Sequence, residues 1–246
     1  MISIQERPIL FSAPMVRAIL EGRKTVTRRL VKPWQQPNLE EDGTWFAIAQ
    51  RHARWGFGVS GVDAASCAAE LARSGCCPYG RPGERLWMRE TWGVISHDFD
   101  EQGNMVDWTP DRQATPIREM PFGRGYYSGH VIYRADGEAA WAGDDDGGGD
   151  DRSAWRPSIH MPRVASRILL EITDVRVERL QDISPAQCLS EGVQAFGGDG
   201  YHIEDGRFFT DHPYETFAGL WQSINGEESW HSNPWVWVVE FKRVTP

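Results

Sequence analysis

An apolar run near the end of the sequence, Trp-Val-Trp-Val-Val-Glu-Phe at residues 235–241, constrains the fold more than any other segment. Successive side chains of a β-strand point to opposite faces, so a strand with one solvated face alternates apolar and polar residues. This run is apolar at both phases of that alternation, which is typical of a strand covered on both faces. It therefore predicts a central strand of a β-sheet.

Other segments predict further short strands. Residues 86–92 follow the turn Arg-Pro-Gly-Glu at residues 81–84, and residues 129–134 form another β-rich stretch. Residues 168–172 and 175–178 alternate apolar and polar side chains. A phase slip between these two segments predicts a β-bulge.

Helices are predicted to be few and short. One begins near Ser12 and ends before Gly22, because serine caps exposed amides and glycine adopts the left-handed conformation at a helix end. Residues 64–73 predict a second helix. The capping box Ser-Pro-Ala-Gln at residues 184–187 starts a third, and residues 211–226 contain a fourth.

Together these elements predict the α+β class, mainly β, with a small closed or strongly curved sheet and short flanking helices. The sequence contains no Gly-x-Gly-x-x-Gly, P-loop or Gly-x-Ser-x-Gly motif, which disfavours the common cofactor-binding folds. A length of 246 residues favours one decorated domain over two small ones. The acidic, glycine-rich residues 144–151 are predicted to be flexible, because they cannot bury apolar surface.

Charge is distributed unevenly along the chain. Residues 17–32 carry six cations and a single acid, a local charge of +5 in a chain of net charge −9. Residues 138–151 contain six acids and no cation, so much of the net acidity belongs to one segment. The basic segment is therefore suited to an anionic partner despite the acidic total.

Location and metal content are predicted from what the sequence lacks. No apolar run approaches the roughly 20 residues that cross a bilayer, and the first residues lack the pattern of a secretory signal, so we expect a cytoplasmic protein without a membrane partner. Cys67, Cys76 and Cys77 show no Cys-x-x-Cys spacing. Free thiols are therefore favoured over a zinc site, and neither a metal nor a cofactor is predicted.

Two residues of the basic segment suggest chemistry. Lys24 and Thr27 meet if the chain turns between them, and a desolvated lysine can activate a hydroxyl nucleophile. The alternative is a solvated surface lysine and an ordinary strand threonine, since short Lys-x-x-Thr spacings are common by chance. The residues alone leave both interpretations open.

Glu191 and His160 are further candidates. Glu191 lies at the end of a predicted short helix, where the helix dipole disfavours an anion by about 0.3–1 kcal/mol. Either a salt bridge or hydration holds it there, or the carboxylate is kept for proton transfer or for hydrogen bonding to a base. His160 lies among cations between two prolines, where a structural role is the more common one.

The residues Gly-Arg-Lys-Thr-Val-Thr-Arg-Arg, at positions 22–29, resemble the opening signature of ASCH-domain proteins, a branch of the PUA-like superfamily. Four later blocks are similar to the long, phage- or prophage-type members. They are residues 82–92, 155–163, 183–193 and 233–238. The resemblance implies a single domain built on a small PUA-like β-barrel with flanking helices.

In that family the barrel has a cleft suited to RNA or a modified nucleoside. The resemblance implies insertions at about residues 34–80 and 97–152 of this chain. It also implies that Lys24 is a proton acceptor, Thr27 a nucleophile and Glu191 a proton donor.

Four cationic residues are predicted to bind the substrate. Arg29 matches a cation of the family motif and suits an oxyanion or a phosphate. Arg23, Arg28 and His160 are the other predicted contacts.

The predicted function is hydrolysis of a modified nucleoside or RNA, namely deacetylation of N4-acetylcytidine or a related amide. One alternative is a non-catalytic module that binds RNA through the basic segment and aromatic stacking. Another is a ribonuclease that works without metal. No obligate protein partner is predicted.

Overall fold

The computed structural model describes residues 4–51, 57–139, 155–198, 200–204 and 206–244. The acidic segment, residues 144–151, lies outside these ranges. Strands account for 39% of the structure and helices for 25%. The prediction of a mainly β member of the α+β class is therefore confirmed.

The four helices of the described ranges are α1 Ala13–Leu20, α2 Ala64–Arg73, α3 Pro185–Ser190 and α4 Pro213–Asn225. The strands in the same ranges are β1 Glu6–Leu10, β2 Val26–Leu30, β3 Asn38–Leu39, β4 Trp45–Ile48, β5 Gly58–Gly61, β6 Arg85–Arg89, β7 Trp92–Ile95, β8 His97–Phe99, β9 Met105–Asp107, β10 Thr115–Phe122, β11 Gly125–Tyr133, β12 Leu169–Arg179, β13 Gln194–Phe196, β14 Gly200–Ile203, β15 Arg207–Thr210 and β16 Trp235–Val244.

The largest sheet has five strands in the order β1-β6-β12-β16-β2. Strand β16 contains the apolar run and lies between two neighbours, as its sequence predicts. It pairs antiparallel with β2, from Val236 opposite Leu30 to Glu240 opposite Val26. Because β16 has an interior position, its residues from Trp235 to Val239 are buried at both phases of the alternation.

Four smaller sheets accompany it, in the orders β3-β4-β5, β8-β9, β10-β11-β7 and β13-β14-β15. Each order begins and ends on different strands, so none of the sheets formed by the described residues closes into a barrel. The PUA-like assignment of the fold stays a prediction.

The two regions expected to be insertions are more regular than the sequence indicated. The first contains β3 to β5 and α2, and the second contains β8 to β11. Alternation of apolar and polar residues does not predict strand β10, because Pro116 and Pro121 interrupt it and its register against β11 shifts between Ile117 and Met120.

One strand prediction needs correction. Residues 86–92 are not one strand, because β6 ends at Arg89 and β7 begins at Trp92 in a different sheet. The two alternating segments at 168–172 and 175–178 fall in a single strand, β12, which begins at Leu169. Apolar patterning marked these segments as extended without showing where one strand ends.

The helix ends agree with the capping chemistry of the sequence. Ser184 accepts a hydrogen bond from the Gln187 amide, and the Gln187 side chain accepts one from the Ser184 amide, which completes the capping box of α3. Gly22, Gly192 and Gly226 follow α1, α3 and α4 with positive φ angles, which favour glycine.

The described chain forms two compact units. The first comprises the residues up to Arg7, Ala18–Leu86 and Leu170–Val244, and the second comprises Pro8–Arg17 and Trp87–Leu169. The single-domain assignment stays a prediction, since each unit is assembled from separate segments of the chain.

A buried guanidinium joins three segments of the second unit. Arg167 donates to both carboxylate oxygens of Glu90, at 3.0 Å each, and to both of Asp136, at 2.7 and 2.9 Å. The Tyr133 ring lies 3.9 Å from the guanidinium carbon. Burial raises the pKa of Glu90, and Arg167 opposes that rise. Every polar atom of the Glu90 carboxylate therefore has a partner, which is the condition for burying a charge.

Candidate active site

The turn after α1 positions Lys24. Gly22 adopts a φ of 77°, and the Lys24 amide donates to the Ala18 carbonyl at 3.0 Å, which closes the helix end. The next amide, of Thr25, donates to the Ser190 carbonyl at 2.9 Å. This bond holds the basic segment against the last residue of α3.

Glu191 is the residue that ends α3. Its backbone remains helical, with a φ of −78° and a ψ of −7°, and its amide donates to the Gln187 carbonyl at 2.9 Å. Gly192 follows with a φ of 106° and turns the chain away from the helix. The carboxylate is therefore presented at the helix terminus, and only 3% of the residue is exposed.

Lys24 and Glu191 form a buried ion pair. The Lys24 ammonium donates to Glu191 Oε2 at 2.6 Å, to the Glu191 carbonyl at 2.8 Å and to the Val26 carbonyl at 2.8 Å. These three acceptors match the three protons of an ammonium group. Burial lowers the pKa of Lys24, whereas Glu191 opposes that change and the charges of Arg29 and Arg28 add to it.

Arg28 is the second cation on the Glu191 carboxylate. Its guanidinium donates to Glu191 Oε1 at 3.2 Å and to Glu178 Oε2 at 3.4 Å, and its side chain is fully buried. Glu191 therefore has a cation on each oxygen, and these two ion pairs explain why an anion is tolerated at the end of α3. Protein carboxylates occupy both terminal nitrogens of Arg28, and its predicted substrate contact stays a prediction.

Thr27 is buried on β2, next to Arg28, and only 3% of the residue is exposed. It pairs with Val239, and successive strand residues face opposite sides of the sheet, so Thr27 points away from Arg28. The structure thus brings together Lys24 and Glu191 and adds Arg28. The catalytic role of Thr27 stays a prediction.

Comparison of the chain with protein-family models, with curated proteins and with solved structures found no match. The ASCH resemblance accordingly stays a prediction. The site has to be interpreted from its geometry.

The remaining predicted contacts lie in three different settings. Arg29 alternates with Arg28 and shares the sheet face of Thr27. Arg23 is partly exposed and donates to Glu21 at 2.7 Å and, more weakly, to the Gly192 carbonyl at 3.5 Å. His160 is exposed in a short turn of the second unit, and its predicted substrate contact stays a prediction.

The ionic network has further members that were not among the predicted site residues. Glu178 accepts from Arg28 and also from Arg176 Nε, at 2.8 Å, and Arg176 donates in turn to Glu240 at 2.6 Å. The carboxylates around Arg176 raise the pKa of its guanidinium. The signal in the sequence is a pair of opposite charges two residues apart on β12, which places both on one face.

The cysteines are buried thiols. Burial raises the pKa of Cys77 to about 11 and also raises the pKa of Cys67 and of Cys76. Among the residues that the structure describes, no group of three or more His, Cys, Asp or Glu side chains is arranged to hold a metal ion. None of the helices in these ranges is both long and apolar enough to cross a bilayer.

Proposed function

We propose that this chain is a hydrolase that acts on a modified nucleoside or on RNA, and that it removes the acetyl group of N4-acetylcytidine or a related amide. The proposal includes an ASCH-type, PUA-like fold. The observation that carries it is the buried Lys24–Glu191 pair, in which a lysine of lowered pKa contacts a carboxylate at 2.6 Å.

Amide hydrolysis needs one group to remove a proton from the nucleophile and another to protonate the leaving nitrogen. Burial lowers the pKa of Lys24 and so favours the neutral amine, which is the form that can accept a proton, and Glu191 can relay that proton. The nucleophile's oxygen bonds to the acyl carbon, its proton passes to the pair, and the pair returns the proton to nitrogen as the C–N bond breaks. Attack by water releases acetate directly, whereas attack by Thr27 leaves an acetyl ester, which water then hydrolyses to acetate and the free hydroxyl. Arg29, on the face of Thr27, can stabilise the negative charge on the acyl oxygen.

A second candidate is a module that binds RNA without chemistry. Two observations favour it. All three protons of Lys24 already have acceptors in the protein, and Lys24 and Glu191 are only 4% and 3% exposed. A pair this enclosed also serves simply to fix α3 against the basic segment.

Turnover of N4-acetylcytidine tests the first candidate directly. Purified protein is incubated with the nucleoside, and cytidine and acetate are measured by chromatography. We expect Lys24→Met and Glu191→Gln each to lower the rate by about 100-fold or more, the usual contribution of general acid–base catalysis. Lys242→Met is the matched control, because this lysine pairs with a carboxylate at the surface and is 60% exposed.

Two substitutions of Thr27 identify the nucleophile. Thr27→Ser keeps the hydroxyl, and Thr27→Val removes it at nearly constant shape. If Thr27→Ser is active and Thr27→Val is not, threonine is supported as the nucleophile. If the two variants are equally active, attack by water is supported. Undiminished turnover in Lys24→Met and Glu191→Gln would refute the proposed roles. Salt-dependent RNA binding without any product from the wild type would favour the binding module.

A further inference from the structure

A cluster of exposed aromatic rings lies on the small sheet that follows the candidate site. Phe196 of β13 and Phe209 of β15 are 59% and 54% exposed, and His202 of β14 is half-buried. The Phe196 ring centroid lies 5.2 Å from that of His202 and 6.2 Å from that of Phe209, both in edge-to-face geometry. We refer to these three residues as the aromatic platform.

The pairing of the strands explains why the rings share one face. Phe196 pairs with Gly200, and Gln194 pairs with His202, so these four residues lie on one face of the sheet. Ala195 and Tyr201 lie on the other face. Gly200 allows the Phe209 ring to lie across the strand, because a Cβ at this position would come within 2.5 Å of that ring. A glycine is therefore needed beneath the platform.

The opposite face of the same sheet is partly covered by α4. Ile203 is 2% exposed, and the Tyr201 carbonyl accepts a hydrogen bond at 3.2 Å from Thr216 of α4. This contact supports the sheet that holds the platform. Exposed phenylalanines that are held in place in this way form a ready-made surface for a flat ligand.

The platform is continuous with the basic segment. When the Gln194 amide faces Arg23, its oxygen accepts hydrogen bonds from both terminal nitrogens of the guanidinium, at 2.7 and 2.8 Å. Arg23 immediately precedes Lys24 in the chain. The five residue steps from Glu191 to Phe196 span at most about 18 Å when fully extended. A chain-like ligand at the Lys24–Glu191 pair can therefore also reach the platform.

We propose that the aromatic platform binds an unpaired base of single-stranded RNA that flanks the nucleotide at the Lys24–Glu191 pair. This inference rests on the proposed function, because a free nucleoside has no second base to stack. Base stacking on aromatic rings tolerates any sequence and needs no charge. Arg23, which bonds to Gln194, is a cation at the platform's edge.

Two classes of variant test stacking separately from folding. The probe is a short, fluorescently labelled single-stranded RNA with one N4-acetylcytidine, and binding is measured by anisotropy. We expect Phe196→Ala and Phe209→Ala to weaken binding by roughly 5- to 150-fold each, and the leucine variants, which keep apolar bulk without a ring, to weaken it comparably. Tyr126→Ala, which removes a 76% exposed ring from β11, should change binding by less than about twofold.

The salt dependence supplies a second readout. Each phosphate contact with a single strand contributes about −0.7 to the slope of log K against log salt concentration, so one or two contacts beside the platform give a shallow slope. If Phe196→Ala leaves this slope unchanged while weakening binding, the lost interaction is stacking. Binding by Phe196→Leu as tight as that of the wild type would overturn the inference.

The experiment also separates this inference from the proposed function. Loss of RNA binding in the phenylalanine variants without deacetylation by the wild type would support the platform and refute the hydrolase. Deacetylation of RNA that is equally fast in wild type and variants, with unchanged binding, would overturn the platform alone. Self-association of the wild type that Phe196→Ala abolishes, with RNA binding unaffected, would assign the rings to a protein interface and overturn the inference.

Discussion

Replacing Glu191 by glutamine removes the negative charge between two buried cations while keeping the shape of the side chain. Lys24 and Arg28 donate to this carboxylate at 2.6 and 3.2 Å. Breaking a buried ion pair by removing one partner costs about 3–5 kcal/mol, because the other charge stays buried without compensation. Arg28 keeps Glu178, so most of the penalty falls on Lys24. We expect Glu191→Gln to lower the free energy of unfolding by about 3 kcal/mol at neutral pH.

This loss of stability should shrink as the pH rises. Burial holds the pKa of Lys24 below its ordinary value of about 10.4, and Glu191 is the group that opposes the decrease. Without the carboxylate the pKa of Lys24 falls further. Between the Lys24 pKa of the folded Glu191→Gln variant and that of the unfolded chain, the unfolded chain binds more protons than the folded one. The free energy of unfolding of the variant therefore increases with pH by up to about 1.4 kcal/mol per pH unit.

Urea denaturation followed by tryptophan fluorescence measures both effects. The free energy of unfolding is compared at neutral and mildly alkaline pH for the wild type, Glu191→Gln, Lys24→Met and the double variant. The double variant should be less destabilised than the sum of the single variants, because it leaves no unpaired lysine. Glu171→Gln removes the partner of exposed Lys242 and should cost less than about 1 kcal/mol. A Glu191→Gln penalty as small as this control, or one independent of pH, would refute the reasoning.

Two further predictions concern other buried groups. Arg167→Lys should lower the free energy of unfolding by about 2–4 kcal/mol, measured by urea denaturation, because an ammonium cannot bind the carboxylates of Glu90 and Asp136 in the same forked geometry; an unchanged midpoint would contradict this. Cys77 and the other buried thiols should react with a thiol reagent only after unfolding, since a raised pKa and burial both suppress the thiolate; rapid labelling of the native protein would show that they are accessible.

Sequence patterns predicted the elements whose signal is local. The apolar run of β16 indicates burial on both faces wherever its neighbours come from, and the capping box of α3 involves only Ser184 and Gln187. Strands β8, β9 and β10 were missed, and β11 was predicted only from residue 129. Strands β8 and β9 have three residues each, prolines interrupt β10, and all three are stabilised by their partners across the hairpins. Strand propensity depends on such cross-strand contacts, which a single segment does not show.

The same limit applies to the site. The basic motif and the end of α3 identified Lys24 and Glu191, and the structure places them in contact although 167 positions separate them. The motif did not show which side of β2 each residue faces. The residue at which β2 begins after the turn at Gly22 decides which face of the sheet each side chain occupies. Because β2 begins at Val26, Arg28 rather than Thr27 lies on the side of Glu191.

The position of Arg28 changes what the cluster can do. A carboxylate held only by Lys24 could rotate between several orientations. Arg28 fixes one oxygen of Glu191, and Glu178 fixes Arg28 in turn, so the oxygen facing Lys24 keeps its orientation. Such preorganisation is what proton transfer requires of its supporting residues. Arg28→Lys should therefore lower turnover while leaving substrate affinity nearly unchanged, whereas a direct substrate contact would weaken affinity as well.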